Sequence, residues 1–201
     1  MDTVIDKVEP FLKDYNYIFY ENYFLICEDI KSYEVNYIDI TSEWFKNIKS
    51  SNHKVKDRGY FEHNGIKYNV NGKDVILDYS NKEKEVASWL RDIFDEEIYM
   101  LPKINKPEGI QTADYLFKNE YWDLKEIFGN GKNVLFHAIE GHEKQAKNFV
   151  FDVTKSTLTD IEIMERIRKL YSLKKLKWLD KVIIKRGNKV IKIIKRSDPS
   201  D

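Results

Sequence analysis

The stretch from Thr112 to Ile127, TADYLFKNEYWDLKEI, alternates in the manner of a β-hairpin. Side chains two apart on a strand share a face. On the second strand Asp123 and Lys125 therefore project together, while Trp122 and Leu124 project to the other side. Asp114 lies on the first strand. The pattern gathers two carboxylates and a lysine on one sheet face. Such a set suits metal-assisted cleavage of a phosphodiester, in which acids hold a divalent cation and the lysine positions or activates the attacking water.

The segments around this hairpin read as an alternation of strands and helices. In GYFEHNGIKYNVNGKDVILDYS, Asn64-Gly65 and Asn71-Gly72 are tight-turn signals, which predicts a small β-meander. Ser80 and Glu83 form a capping box, and Val86, Trp89, Leu90 and Ile93 recur at helical spacing behind it. A strand in EEIYMLP follows, then the loop NKPEGIQ, then the hairpin, closed by Gly129 and Gly131. His137 to Lys147 reads as helical and NFVFDVT as a buried strand. Thr159 caps a helix to about Tyr171, and the chain closes on a hairpin turning at Gly187-Asn188. Residues 1–56 differ from the rest. They are crowded with aromatics, among them Phe11, Tyr15, Tyr17, Tyr33, Trp44 and Phe45, in short β-leaning runs. Core and hairpin packing is one use for these rings, and a platform for stacking bases is another. The polar stretch SSNHKVKDRG marks the expected boundary, with the second domain spanning 59–196.

Composition narrows the classes. The 201 residues are 42% hydrophobic and 34% charged, enough for a packed core and a solvated surface. Lys+Arg and Asp+Glu both number 34, which argues against a chain coated in basic charge and leaves room for a local basic groove. Lysines and arginines are dense from Arg166 to Arg196. The single cysteine, Cys27, excludes a disulfide framework and a cysteine zinc site. No signal peptide and no apolar run of membrane-spanning length is evident, so a cytoplasmic working compartment is expected, reached in a target cell if the chain is delivered there.

The order and spacing Ala113-Asp114, eight residues, Asp123-Leu124-Lys125 resembles the PD-(D/E)xK nuclease superfamily, with Ala113 where the motif has proline. From about Gly59 to Arg196 the chain is similar to the nuclease domain at the C-termini of some phage head-morphogenesis proteins. It is also similar to the tRNA-cleaving toxin domains of contact-dependent growth-inhibition systems. VILDYSNKEKEVASWL, IYMLP, PEGIQTADYLF, EYWDLKEI, QAKNFVFDVT and DKVIIKRGNKVIKII carry the likeness.

The resemblance implies an α/β (α+β) fold with a restriction-endonuclease-like core, a central mixed sheet flanked by helices. It implies a metal-dependent nuclease acting on RNA, tRNA above all, with Asp114 and Asp123 holding Mg²⁺, Mn²⁺ or Zn²⁺ and Lys125 orienting water or charge. A third acid is expected from the first helix, where Glu83 and Glu85 both flank the apolar stripe. Glu83 already has a cap to make, so Glu85 is expected as the metal ligand. Lys144 and Gln145, expected on the helix after the second strand, match a pattern that touches substrate phosphate. His137 and His142 are five apart and do not align as helix ligands. Partners implied are nucleic acid and a cognate immunity protein, with no membrane. A DNA endonuclease of the same fold is the nearest alternative. A catalytically silent phage interaction module is the other, against which the complete Asp, Asp, Lys set argues.

Overall fold

The computed structural model describes residues 16–20, 23–27, 37–46 and 52–197. The chain divides into two compact units, Met1–Glu34 and Val35–Asp201. In the first, β1 (Asn16–Tyr20) and β2 (Tyr23–Cys27) pair as an antiparallel hairpin with Tyr20 opposite Tyr23. Phe11, Tyr15 and Tyr33 lie outside the described residues, as do the side chains of Tyr17 and Cys27.

The second unit is built on one eight-stranded mixed sheet. Its members, named in chain order, are β3 (Tyr37–Asp39), β4 (Val55–Asp57), β8 (Ile98–Met100), β10 (Tyr115–Phe117), β11 (Glu120–Glu126), β12 (Asn148–Asp152), β13 (Lys181–Arg186) and β14 (Lys189–Arg196). Across the sheet they run β3-β14-β13-β12-β11-β10-β8-β4. β11, β12 and β13 are parallel, and all five residues of β12 are buried, as a strand covered on both faces requires.

Helices cover the two faces. α2 (Asn81–Phe94) starts on the expected capping box, Ser80 Oγ accepting from the Glu83 amide at 3.1 Å. It packs Val86, Ala87, Leu90 and Phe94 against Trp122, Tyr115 and Val150. α3 (Val134–Ile139) and α4 (Asp160–Ser172), the latter capped by Thr159, cover the opposite face with Leu135, Ile139, Ile163 and Ile167 against Phe149 and Phe151. Two-residue turns shape both hairpins expected from sequence. Lys118 and Asn119 both adopt positive φ between β10 and β11. Among the described residues no helix is long and apolar enough to cross a membrane.

Three expectations are corrected. The division falls between Glu34 and Val35, not near residue 56. β3 pairs with β14, and Trp44 of α1 (Thr41–Phe45) packs 5.3 Å from Phe94 and 5.8 Å from Trp122, so these residues belong to the second unit's core. The meander is also incomplete. β5 (Tyr60–His63) and β6 (Ile66–Asn69) form the Asn64-Gly65 hairpin, but β7 (Val75–Ile76) pairs instead with β9 (Lys103–Ile104). The helix expected over His137 to Lys147 ends at Ile139, because Gly141 turns the backbone at φ 81°.

One buried charge cluster ties α2 to the sheet. Lys185 and Asp152 are each 2% exposed and lie 3.0 Å apart, and Lys82 of α2 reaches the same carboxylate at 2.8 Å. Burial alone would raise the Asp152 pKa, but Lys82, Thr154 and Lys185 overcome it and hold the group down at about 2. That stabilisation is therefore present above the ordinary carboxylate range and is lost as pH falls toward 2. Lys185→Ala leaves buried Asp152 with Lys82 as its only cation, beside the Thr154 amide and hydroxyl. It is expected to destabilise the chain by about 3 kcal/mol, measured by denaturant unfolding.

Candidate active site

Where β10 leaves β11, the backbone opens and a carboxylate takes over the ladder. Asp114 N–H still donates to Trp122 O at 3.0 Å, but one residue on, the Leu124 amide donates to Asp114 Oδ2 at 2.7 Å. Asp123, 1% exposed, projects from β11 on the same face as Lys125, with Lys125 Nζ 2.6 Å from its Oδ2. That oxygen is buried and close to the ammonium but makes no aligned hydrogen bond. Trp122 and Leu124 pack on the α2 side, as the alternation predicts.

The electrostatics of the two acids is frustrated. Burial, then the nearby Asp123 charge, pushes Asp114 up to about 8. Burial also raises Asp123, against the pull of Lys125. Two carboxyl groups are thus held together in a low-dielectric setting with one lysine to balance them. They line a cavity of about 480 Å³ together with Glu83, Thr112, Lys125 and Gln145.

The remaining expected residues divide. Gln145 is at the site. Its Nε2 donates to Thr112 O at 2.8 Å, and its Oε1 lies 2.6 Å from His142 Nδ1. Because the amide nitrogen is committed to Thr112, Oε1 is the acceptor and His142 Nδ1–H the donor. Lys125 Nζ stands 3.3 Å from that ring nitrogen. His142 is therefore a neighbour of the site that the spacing argument did not select, since spacing along a helix does not apply to a turn.

Glu85 is not at the site. Its side chain is 60% exposed and pairs with Lys82 at 2.9 Å, on the flank of α2 that faces β13. Glu83 lines the cavity instead while also completing the cap, its Oε2 accepting from the Ser80 amide at 2.5 Å. Tyr115 causes this placement. Its hydroxyl donates to Glu83 O at 2.9 Å, pinning the first turn of α2 beside Asp114. Lys144 is exposed and lines a neighbouring cavity rather than this one.

A divalent ion with oxygen ligands fits the donor set of half-buried Asp114 and buried Asp123, whose mutual repulsion it would relieve. Among the described residues no histidine or cysteine lines the cavity, so the set is poorly matched to zinc. Among the described residues no three His, Cys, Asp or Glu side chains converge closely enough to hold a metal by themselves.

The fold and site define a mixed-sheet α+β domain with a paired-acid and lysine centre where two strands diverge. Residues 111–190, which contain that centre, match the family described as the contact-dependent growth inhibition CdiA C-terminal domain. Among solved structures, a CdiA-CT/CdiI toxin and immunity complex from Burkholderia pseudomallei is similar at TM-score 0.45 and 19% identity. The match covers 60% of this chain and 92% of that one. No curated protein sequence matches the chain.

Proposed function

We propose that this chain is a metal-dependent nuclease of the PD-(D/E)xK type, hydrolysing phosphodiester bonds in RNA, and that it acts as a growth-inhibition toxin. The observation that carries the reading is the pairing of a half-buried Asp114 with a buried Asp123, with Lys125 2.6 Å from Asp123. A repelling acid pair drawn away from solvent is rarely kept for stability alone, because an uncompensated desolvated charge is costly. The family match over residues 111–190 supports the toxin role.

Asp114 and Asp123 would hold the ion, and the donor set favours Mg²⁺ or Mn²⁺. A bound divalent cation polarises the scissile phosphate and lowers the pKa of water. Lys125, fixed by Asp123, presents its ammonium to the charge that builds on the phosphate oxygens. Gln145 fastens the loop at Thr112 and, through His142, crowds Lys125 toward Asp123. Tyr115 keeps Glu83 at the rim. RNA is preferred over DNA on the strength of the resemblance to tRNA-cleaving domains. A toxin of this kind implies a small neutralising protein as partner and entry into a target cell.

Gln145→Ala removes both hydrogen bonds to the loop and to His142. Since small misplacements of positioned groups cost up to about a hundredfold, cleavage is expected to fall at least about tenfold. The melting temperature should stay within a few degrees, because Gln145 is in a turn and only half-buried. To test the reading itself, purified protein is incubated with total tRNA and with plasmid DNA, each with Mg²⁺, Mn²⁺, Zn²⁺ or chelator. Cutting of tRNA that needs Mg²⁺ or Mn²⁺ supports it. Cutting of plasmid alone would transfer the assignment to DNA.

A further inference from the structure

Two residues before Asp123, and on the same face of β11, stands Tyr121, about 7 Å along the strand. Its hydroxyl lies 3.5 Å from Arg58 Nη1, while Arg58 Nη2 donates to Tyr60 OH at 2.9 Å. The guanidinium carbon sits 4.3 Å from the Tyr60 ring centroid and Lys67 Nζ 3.9 Å from it, so one ring holds two cations. Phe61 backs Tyr121 at 5.3 Å between centroids. Among the described residues no carboxylate lies in ion-pair range of Arg58 or Lys67. Glu62, opposite Lys67 in the β5–β6 register, is the nearest acid on those strands. Arg58 is thus a half-buried cation held in place by tyrosyl hydroxyls instead of an acid.

Tyr121 also lines a second polar cavity, which shares Gln145 with the first and carries Lys144 and Lys147. Its acids Glu120 and Asp180 are engaged by Lys181, at 2.6 and 2.9 Å, and Glu143 is exposed at the rim. Lys144 and Lys147 make no ion pair among the described residues. The surface from the paired acids across Gln145 to Tyr121 therefore ends in cations with no protein counterion. A polyanion running away from the reaction centre would supply those counterions.

We propose that Arg58, with Lys144 and Lys147, forms a phosphate-binding subsite that grips a single-stranded segment of nucleic acid beside the cleaved bond. This rests on the nuclease reading. Arg58 meets a backbone phosphate with its remaining guanidinium donors, and the tyrosines fix its orientation in advance, which lowers the ordering cost of binding. The two lysines neutralise phosphates within the second cavity. Grip on the backbone alone tolerates any sequence, so recognition here positions the strand without reading bases.

The test measures binding apart from cutting. The Asp123→Asn chain, with Mg²⁺, is titrated into a fluorescently labelled single-stranded RNA oligonucleotide, with DNA of the same sequence in parallel. Anisotropy is followed over a range of salt. Adding Arg58→Ala is expected to weaken binding about tenfold and to flatten the salt slope by about 0.7, the loss of one single-strand phosphate contact. Lys147→Ala, at an exposed position with no fold role, should weaken binding about threefold and flatten the slope similarly. Lys189→Ala, on the far hairpin, should change neither. The subsite is overturned if Arg58→Ala and Lys147→Ala bind with unchanged affinity and slope while the wild-type chain cleaves the polymer. Absence of both binding and cleavage in every metal overturns the nuclease reading, and the subsite with it.

Discussion

Asp114→Asn is expected to make the metal-free protein more stable and to abolish its cleavage of nucleic acid. Asp114 is pushed up to about 8 by burial and by Asp123, so at neutral pH folding requires the group to take up a proton or to bear a buried charge. Asparagine is neutral at every pH and keeps an oxygen for the Leu124 amide that Asp114 now accepts at 2.7 Å. Removing the proton-uptake cost should be worth on the order of 2 kcal/mol, or roughly 4–8 °C in melting temperature for a chain of this size. Activity should fall about a thousandfold or more, since a carboxylate that holds a catalytic cation contributes several kcal/mol to the transition state. Gain of stability with loss of activity is the signature of a residue kept for function. If the substitution instead destabilised the fold and spared activity, Asp114 would be a structural residue.

The second large effect is a pH dependence of the metal-free protein. The folded pKa of Asp114 lies above that of the unfolded chain, about 3.9. Between about 4 and 8 the folded state thus binds more protons than the unfolded state, and stability falls as pH rises through that window. Asp123 is raised as well, so it acts in the same direction. In chelator, melting at pH 8.5 should occur well below melting at pH 5, by a loss on the order of 3 kcal/mol. Mn²⁺ should restore much of the difference at pH 8.5, because binding to the folded state alone stabilises it. Asp114→Asn should flatten the profile in chelator. An identical profile in wild type and variant would show that the paired acids do not carry the effect.

Much of this was legible before the structure. The alternation of Trp122, Asp123, Leu124 and Lys125 is local, and a strand leaves side chains no choice of face, so the acid–lysine face follows from sequence. The caps at Ser80 and Thr159 are local too, and both helices begin where those residues place them. What failed depends on contacts distant in the chain. A helical wheel places Glu83 and Glu85 alike beside the apolar stripe, and the cap at Ser80 hides the second use of Glu83. The hydroxyl of Tyr115, 32 residues away, turns the first turn of α2 so that Glu83 serves both the cap and the cavity. The helical pattern over His137 to Lys147 does not show that Gly141 stops the helix early, which places Lys144 at a neighbouring cavity and His142 beside Lys125. The aromatic N-terminal stretch was split at a polar run, whereas β3 pairs with β14, some 155 residues further along, a partnership that no local pattern encodes.

The most direct test of the central claim compares wild type with Asp123→Ala, both shown to be folded by circular dichroism, on tRNA across Mg²⁺, Mn²⁺ and chelator. The paired-acid site predicts cutting by wild type with metal only, and none by the variant. Cutting that persists in the variant or in chelator would contradict it, as would folded wild type that leaves tRNA and plasmid DNA intact in every metal.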